Sequence, residues 1–321
     1  MSGIQDFNNK WENKISQRLK EHPELIGYAN YIRETEALST NHQYLYQVGE
    51  FLSFINKNFA DLDFDDYISY FASLKNTTPS YQRIAYYALK KFSEYLFYSN
   101  KNSLNPMQKI KPPKKIELIE TKQKREIGFL TKEEVKTTLQ AVKDGVGKHN
   151  RKDGWQERDI AIIYIFLATG MRCSALIKLD LNNVNWEEST IVTIDKGNKV
   201  HKYILPNNVK LILQTWVEKR QMLLEGKEEE ALFISNKKKR IGTTTVSDIV
   251  KKYSSMIEGK HITPHKLRAT FGTHLYNETR DIKFVQDQMG HSNPQTTELY
   301  IRGNKDADRK KAADIMDKFL N

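Results

Sequence analysis

Five side chains in the second half of the chain are suited to reaction at a phosphodiester. In Thr169-Gly170-Met171-Arg172-Cys173-Ser174, Arg172 stands just past a glycine that stops one helix and near the start of the next, where backbone N–H groups favour an anion. In His265-Lys266-Leu267-Arg268, a histidine and an arginine share one helical face, behind a proline suited to a helix start. Met289-Gly290-His291 closes a further helix, and Tyr300 follows after Pro294 and Thr296-Thr297. Transfer of a DNA strand without a metal needs such a set. Guanidinium groups stay charged and hold phosphate oxygens bidentately. A nucleophile attacks phosphorus, and a general acid protonates the departing 5′ oxygen. A tyrosine nucleophile conserves the bond energy in a phosphotyrosine ester, so rejoining needs no ATP.

The elements that must position these groups can be read from pattern. Leu130-Thr131-Lys132-Glu133-Glu134 has the form of a capping box, with Thr131 at the cap and Glu134 at the third helical position. Arg158 to Thr169 is an apolar helix ended by Gly170. Ser189–Ile194 and Val200–Leu205 read as two strands joined through Asp195-Lys196-Gly197-Asn198-Lys199, a hairpin with Gly and Asn in its turn. Further helices are predicted over 207–224, 244–257, 265–276, 281–289 and 309–320. The fold class is mainly α with a small β-sheet.

The first hundred residues read differently. Tyr44, Val48, Phe51, Leu52 and Ile55 fall on one helical face. Thr77-Thr78-Pro79 supplies a cap and a first-turn proline for a helix over Tyr81–Tyr98. The aromatics of that helix, Tyr87, Tyr95 and Phe97 among them, are read as core packing, and its basic residues Arg83, Lys90 and Lys91 as better suited to phosphate. Residues 1–23 are read as an N-terminal tail, 24–107 as a helical domain, 108–127 as a basic, Pro-containing linker, 128–302 as a second domain and 303–321 as a C-terminal helix.

Charge and composition narrow the partner. The 321 residues carry a net charge of +11 with a pI near 9.3. Residues 1–66 are net −5, whereas 67–107 are net +4 and 108–321 net +12. This balance favours a polyanion, and the first 66 residues look turned away from it or toward protein. The longest apolar run, Ile160–Ala168, is about half of the roughly 20 residues a membrane helix needs. The polar N-terminus is not a secretory signal, and the lone Cys173 permits no intramolecular disulfide. A cytoplasmic protein is expected.

Thr-Gly-Met-Arg, His-Lys-Leu-Arg, Gly-His and Thr-Thr-Glu-Leu-Tyr, in this order and approximate spacing, resemble the boxes of the tyrosine recombinases, which include phage and transposon integrases and chromosome-dimer resolvases. The likeness is strong over residues 129–321. Over 24–107 it extends only to a helical core-binding domain. The resemblance implies that Arg172 and Arg268 clamp the scissile phosphate, that His265 assists proton transfer, that His291 hydrogen-bonds a phosphate oxygen and that Tyr300 is the nucleophile. It also implies that Lys196 protonates the leaving oxygen, with Lys199 as the alternative on the same turn. Two domains would clamp double-stranded DNA, four copies would assemble on paired sites, and residues 303–321 would dock on a neighbouring protomer. No metal, cofactor, small-molecule substrate or membrane is implied. One departure stands out: the family usually carries Asp or Glu three residues after the first arginine, to support the histidine, and this chain has Ala175. Asp180 is not assumed to replace it.

Other readings compete. A type IB topoisomerase uses the same chemistry on one duplex, and a silent DNA-binding factor needs none of it. His265 taken alone is more often structural, as His274 is read to be, and Cys173 is read as a small buried residue. Lys237–Arg240 and Lys251-Lys252 are read as solvated faces or phosphate contacts. Among recombinase roles, the Lys-, Asn- and Ile-rich composition favours a mobile-element integrase over a resolvase.

Overall fold

The stripe of apolar residues from Tyr44 to Ile55 becomes one face of a helix in a computed structural model, which describes residues 2–113, 128–145, 154–195, 199–254, 257, 260–290 and 316. The chain divides into two units, Ile4–Ile119 and a second formed by Glu120–Asn321 with Met1–Gly3. The described α-helices of the first are α1 (Ser2–Glu21, from Ile4 on), α2 (Ile26–Arg33), α3 (Leu38–Ile55), α4 (Phe64–Ser73) and α5 (Pro79–Tyr98). Val48 and Phe51 on α3 meet Tyr28, Tyr67, Leu89 and Phe92 in a core rich in edge-to-face and tilted ring pairs.

Two local expectations change here. Residues 1–23, expected as a tail, are helical over Ser2–Glu21. The reason is a sparse stripe in a polar segment: Trp11 meets the His42 ring, while Ile15 and Leu19 join the core. Arg18 adds a 3.0 Å bond to Glu50 and lies over the Tyr46 ring. The α5 aromatics do not all pack inside either. Tyr95 is buried, but Tyr87 and Phe97 are 42% and 43% exposed, and Arg83 lies against the Tyr87 ring. Thr78 caps this helix, with Pro79 in its first turn, as read from the sequence. The start of the expected linker packs on this unit: Tyr86 donates to the Ile110 carbonyl and Ile110 lies against the core.

The second unit contains α6 (Lys132–Lys143), α7 (Gln156–Thr169), α8 (Cys173–Leu176), α9 (Asn207–Leu224), α10 (Thr243–Ser254), α11 (Pro264–Thr279) and α12 (Ile282–Met289). Its antiparallel sheet runs β1 (Val184–Asn185), β2 (Thr190–Asp195) and β3 (Lys199–Ile204) in that order. The apolar α7 lies at the centre, against α6, α9 and α11, with Ile162, Ile163, Ile165 and Phe166 fully buried. On α9, Trp216 stacks on Phe233 and donates to the Leu232 carbonyl at 2.9 Å. A buried ion pair opens α7: Arg158 bonds Asp159 and the Ile234 carbonyl, and Asp159 accepts from Tyr253 at 3.0 Å. No helix of the described residues is long and apolar enough to cross a membrane.

The capping box at Thr131 forms in both directions: Glu134 N donates to Thr131 Oγ1 at 3.2 Å and Thr131 N to Glu134 Oε2 at 2.8 Å. Burial alone would raise the Glu134 carboxyl, but bonds from Lys260 and Thr131 outweigh it and hold it below its ordinary range. Thr131→Ala is therefore expected to cost about 1 kcal/mol in a denaturant melt. Because the folded value is lowered, the advantage of wild type over Glu134→Gln is present above the ordinary glutamate range and lost as pH falls through the folded value. A melting series from pH 7 down to acid reads that loss, and a gap that does not narrow would contradict it.

Candidate active site

Three of the six expected site residues, Arg172, His265 and Arg268, lie among the described residues, whereas Lys196, His291 and Tyr300 lie outside them. Their placement begins at the end of α7. Gly170 takes φ +58° and its N–H bonds the Phe166 carbonyl, which turns the chain out of the helix. A Cβ at this glycine would stand 2.3 Å from Phe271 Cδ1 on α11, so the turn also lets α11 approach. Thr169 Oγ1 accepts from Met171 N and thereby orders the step to Arg172.

Arg172 caps α8, which is a single turn of four residues. Its carbonyl already accepts from the Ala175 and Leu176 amides. The anion-favouring helix start expected beside Arg172 is thus slight, and the guanidinium carries the site's charge here. Arg172 Nη2 reaches across to the Gly290 carbonyl at 3.1 Å.

Arg268 is only 5% exposed on α11. It donates to the Gly170 carbonyl at 2.5 Å and to the Met289 carbonyl at 2.6 Å. Both carbonyls stand at the C-terminal ends of helices, α7 and α12, where unsatisfied oxygens sum to partial negative charge. Two helix ends therefore compensate this buried cation, and they fix the plane of its fork. A guanidinium fits this arrangement because its donors diverge in one plane; an ammonium has no such fork.

His265 sits in the first turn of α11, three residues before Arg268, and is exposed. The helix is capped by Thr263, whose side chain accepts from Lys266 N. At the position where the resemblance implies a carboxylate, the methyl of Ala175 is buried and offers no acceptor. Asp180 is committed elsewhere: it bonds Arg240, which also donates to the Ile177 and Leu179 carbonyls. Arg240, read within Lys237–Arg240 as part of a solvated face or a phosphate contact, thus turns inward as a structural group. His274 bonds the Leu130 carbonyl at 2.9 Å and is structural. The Cys173 thiol is pushed up to about 11 by burial, so it is neutral near pH 7.

The strands at residues 190–195 and 199–204 pair with Asp195 opposite Lys199, so the hairpin read from sequence is present on both sides of its turn. Beyond it lies a residue that no sequence motif marked. His201 on β3 bonds the Gln288 carbonyl at 3.1 Å and packs edge-on against the Tyr203 ring. Its only sequence signal was alternation along β3, which puts it on the inward face with Tyr203.

Residues 128–307 match the Phage integrase family. The chain belongs to this family. Over 321 residues it is 31% identical to "Tyrosine recombinase XerC" of Caldanaerobacter subterraneus subsp. tengcongensis, across 90% of this chain and 85% of that protein. Its fold is similar to the XerH site-specific recombinase solved with a palindromic difH substrate, with a TM-score of 0.68 at 19% identity over 94% of this chain and 88% of that one. It is also similar to the Tn1549 transposon integrase solved with transposon right-end DNA, with a TM-score of 0.61 at 19% identity over 90% and 98% of the two chains. This phage integrase family member is a tyrosine recombinase, and its fold is the mainly α, small-sheet architecture read from the sequence.

Proposed function

We propose that this recombinase cuts and rejoins double-stranded DNA at specific sites by two successive transesterifications, with Tyr300 as nucleophile. The observation that carries the reading is the anchoring of Arg172 and Arg268 to the Gly290 and Met289 carbonyls, immediately before His291 on the segment that leads to Tyr300. Two guanidiniums oriented in this way suit the two non-bridging oxygens of one phosphate.

In the first step the Tyr300 oxygen attacks phosphorus, the P–O5′ bond breaks, and a 3′-phosphotyrosyl ester forms. Lys196 gives its proton to the departing 5′ oxygen, and Lys199 is the alternative donor. His265 assists proton transfer at the nucleophile, and His291 hydrogen-bonds a phosphate oxygen. In the second step a 5′ hydroxyl from the partner duplex attacks the ester and releases Tyr300. A free phenol near pKa 10 is ionised in roughly one molecule per thousand at pH 7, a cost of about 4 kcal/mol that neighbouring cations lower. The two units would clamp a duplex, with the acidic first 66 residues turned from the phosphates. A tetramer would hold two sites, with residues 303–321 exchanged between protomers, in a cytoplasmic enzyme of a mobile element.

The test is a nicked suicide substrate carrying the DNA ends that flank the gene, followed by incubation of two marked duplexes. Covalent adduct and recombinant products are expected. Relaxation of supercoils without recombinants would favour topoisomerase-like activity on one duplex, and no adduct at all would favour a silent DNA-binding factor. Lys196→Ala is expected to slow cleavage about a hundredfold. A substrate with sulfur at the bridging 5′ position should restore it, because a thiol near pKa 8.5 leaves without a proton. Rescue by sulfur of Lys199→Ala instead would move the role to Lys199.

A further inference from the structure

The last turn of α12 presents carbonyls that the helix cannot satisfy itself. Gly290 takes φ +61°, and its N–H serves the Asp287 and Gln286 carbonyls. The next three oxygens are met one by one from three other elements. His201 on β3 bonds the Gln288 carbonyl, Arg268 on α11 the Met289 carbonyl, and Arg172 at the α8 cap the Gly290 carbonyl. Two of these three side chains are the expected phosphate clamp. The third comes from the strand that continues the hairpin containing Lys196 and Lys199.

We propose that His201 is a positioning residue for strand transfer, latching β3 to the α12 turn from which His291 and Tyr300 depart. This rests on the reading of Tyr300 above. A carbonyl only accepts, so Nε2 of His201 carries the hydrogen. The approach is close: a Cβ on Gly290 would stand 3.3 Å from His201 Nδ1, so glycine leaves room for the ring beside the turn. The Tyr203 ring, 4.4 Å away between centroids, supports the imidazole from its own strand. The latch brings hairpin and turn into one frame with the two arginines. Reaction geometry is sensitive at this scale, since a shift of about 1 Å in a reacting group can cost about a hundredfold in rate.

His201→Phe keeps a ring against Tyr203 and removes the donor, while His201→Gln loses the ring and keeps an N–H of similar reach. His201→Phe is expected to slow single-turnover adduct formation about ten- to a hundredfold, while the DNA dissociation constant stays within about twofold and His201→Gln recovers to within about threefold of wild type. Sulfur at the 5′ bridge should not rescue His201→Phe, because the defect lies in placement and not in a missing proton. Cleavage by His201→Phe at the wild-type rate, rescue by sulfur, or equal loss in His201→Gln would each overturn the latch. Wild-type protein without any adduct would instead bring down the Tyr300 reading, and the latch with it.

Discussion

Tyr300→Phe will bind its DNA site with unchanged affinity and form no covalent adduct. Removing the hydroxyl takes away the only atom that this mechanism offers to phosphorus, so the loss is to background, at least about ten-thousandfold. The chain has 16 tyrosines, and five of them, Tyr164, Tyr203, Tyr253, Tyr276 and Tyr300, fall after Glu120. The structure argues against substitution by the buried ones. Tyr253 is 1% exposed, and burial followed by the charge of Asp159 holds its phenol well above the usual range. Tyr203 is 5% exposed beneath His201. Denaturing gels on a nicked, labelled duplex read the adduct, and electrophoretic shift on the same duplex reads binding. An adduct that persists in Tyr300→Phe would overturn the assignment.

Arg268 should be the costliest group to remove from the described part of the site, because it is bonded inside the fold and is also proposed for the phosphate clamp. Arg268→Ala leaves the Gly170 and Met289 carbonyls without their donor inside the fold, and breaking such a buried polar cluster costs about 3–5 kcal/mol. Arg268→Lys keeps the charge but loses the planar fork. It should retain most of the stability and cleave roughly a hundred- to a thousandfold more slowly, the usual loss for a missing oxyanion donor. Denaturant midpoints separate the first effect and single-turnover cleavage the second. Arg268→Lys cleaving at the wild-type rate would remove Arg268 from the clamp, and Arg268→Ala with an unchanged midpoint would remove it from the fold's polar accounting.

Much of the local structure was legible because its causes are local. Thr131 and Glu134 lie three residues apart and close a capping box, Thr78 with Pro79 starts α5, and Gly170 ends α7 at a positive φ. The β2–β3 hairpin follows from alternation on both sides of a Gly- and Asn-containing turn. What misled was sparse or surface pattern. The stripe of Trp11, Ile15 and Leu19 is diluted by polar residues, so α1 read as a tail. Tyr87 and Phe97 are aromatic yet exposed, because α5 buries only one side. Arg240 sits in a basic run but turns to Asp180, a partner 60 residues away that no local rule signals.

The sequence by itself determined the family, since residue types and their order along the chain define the boxes at Arg172, His265, Arg268, His291 and Tyr300, the residues proposed for its chemistry. It also determined the missing carboxylate at Ala175. Only the tertiary structure decided what holds the arginines. Their charge is balanced at carbonyls of two helix ends, and the α12 turn receives His201, Arg268 and Arg172 from three separate elements. The physical reason is that backbone oxygens are the same in every residue. Which of them remain unsatisfied, and which side chains reach them, depends on where helices end in space.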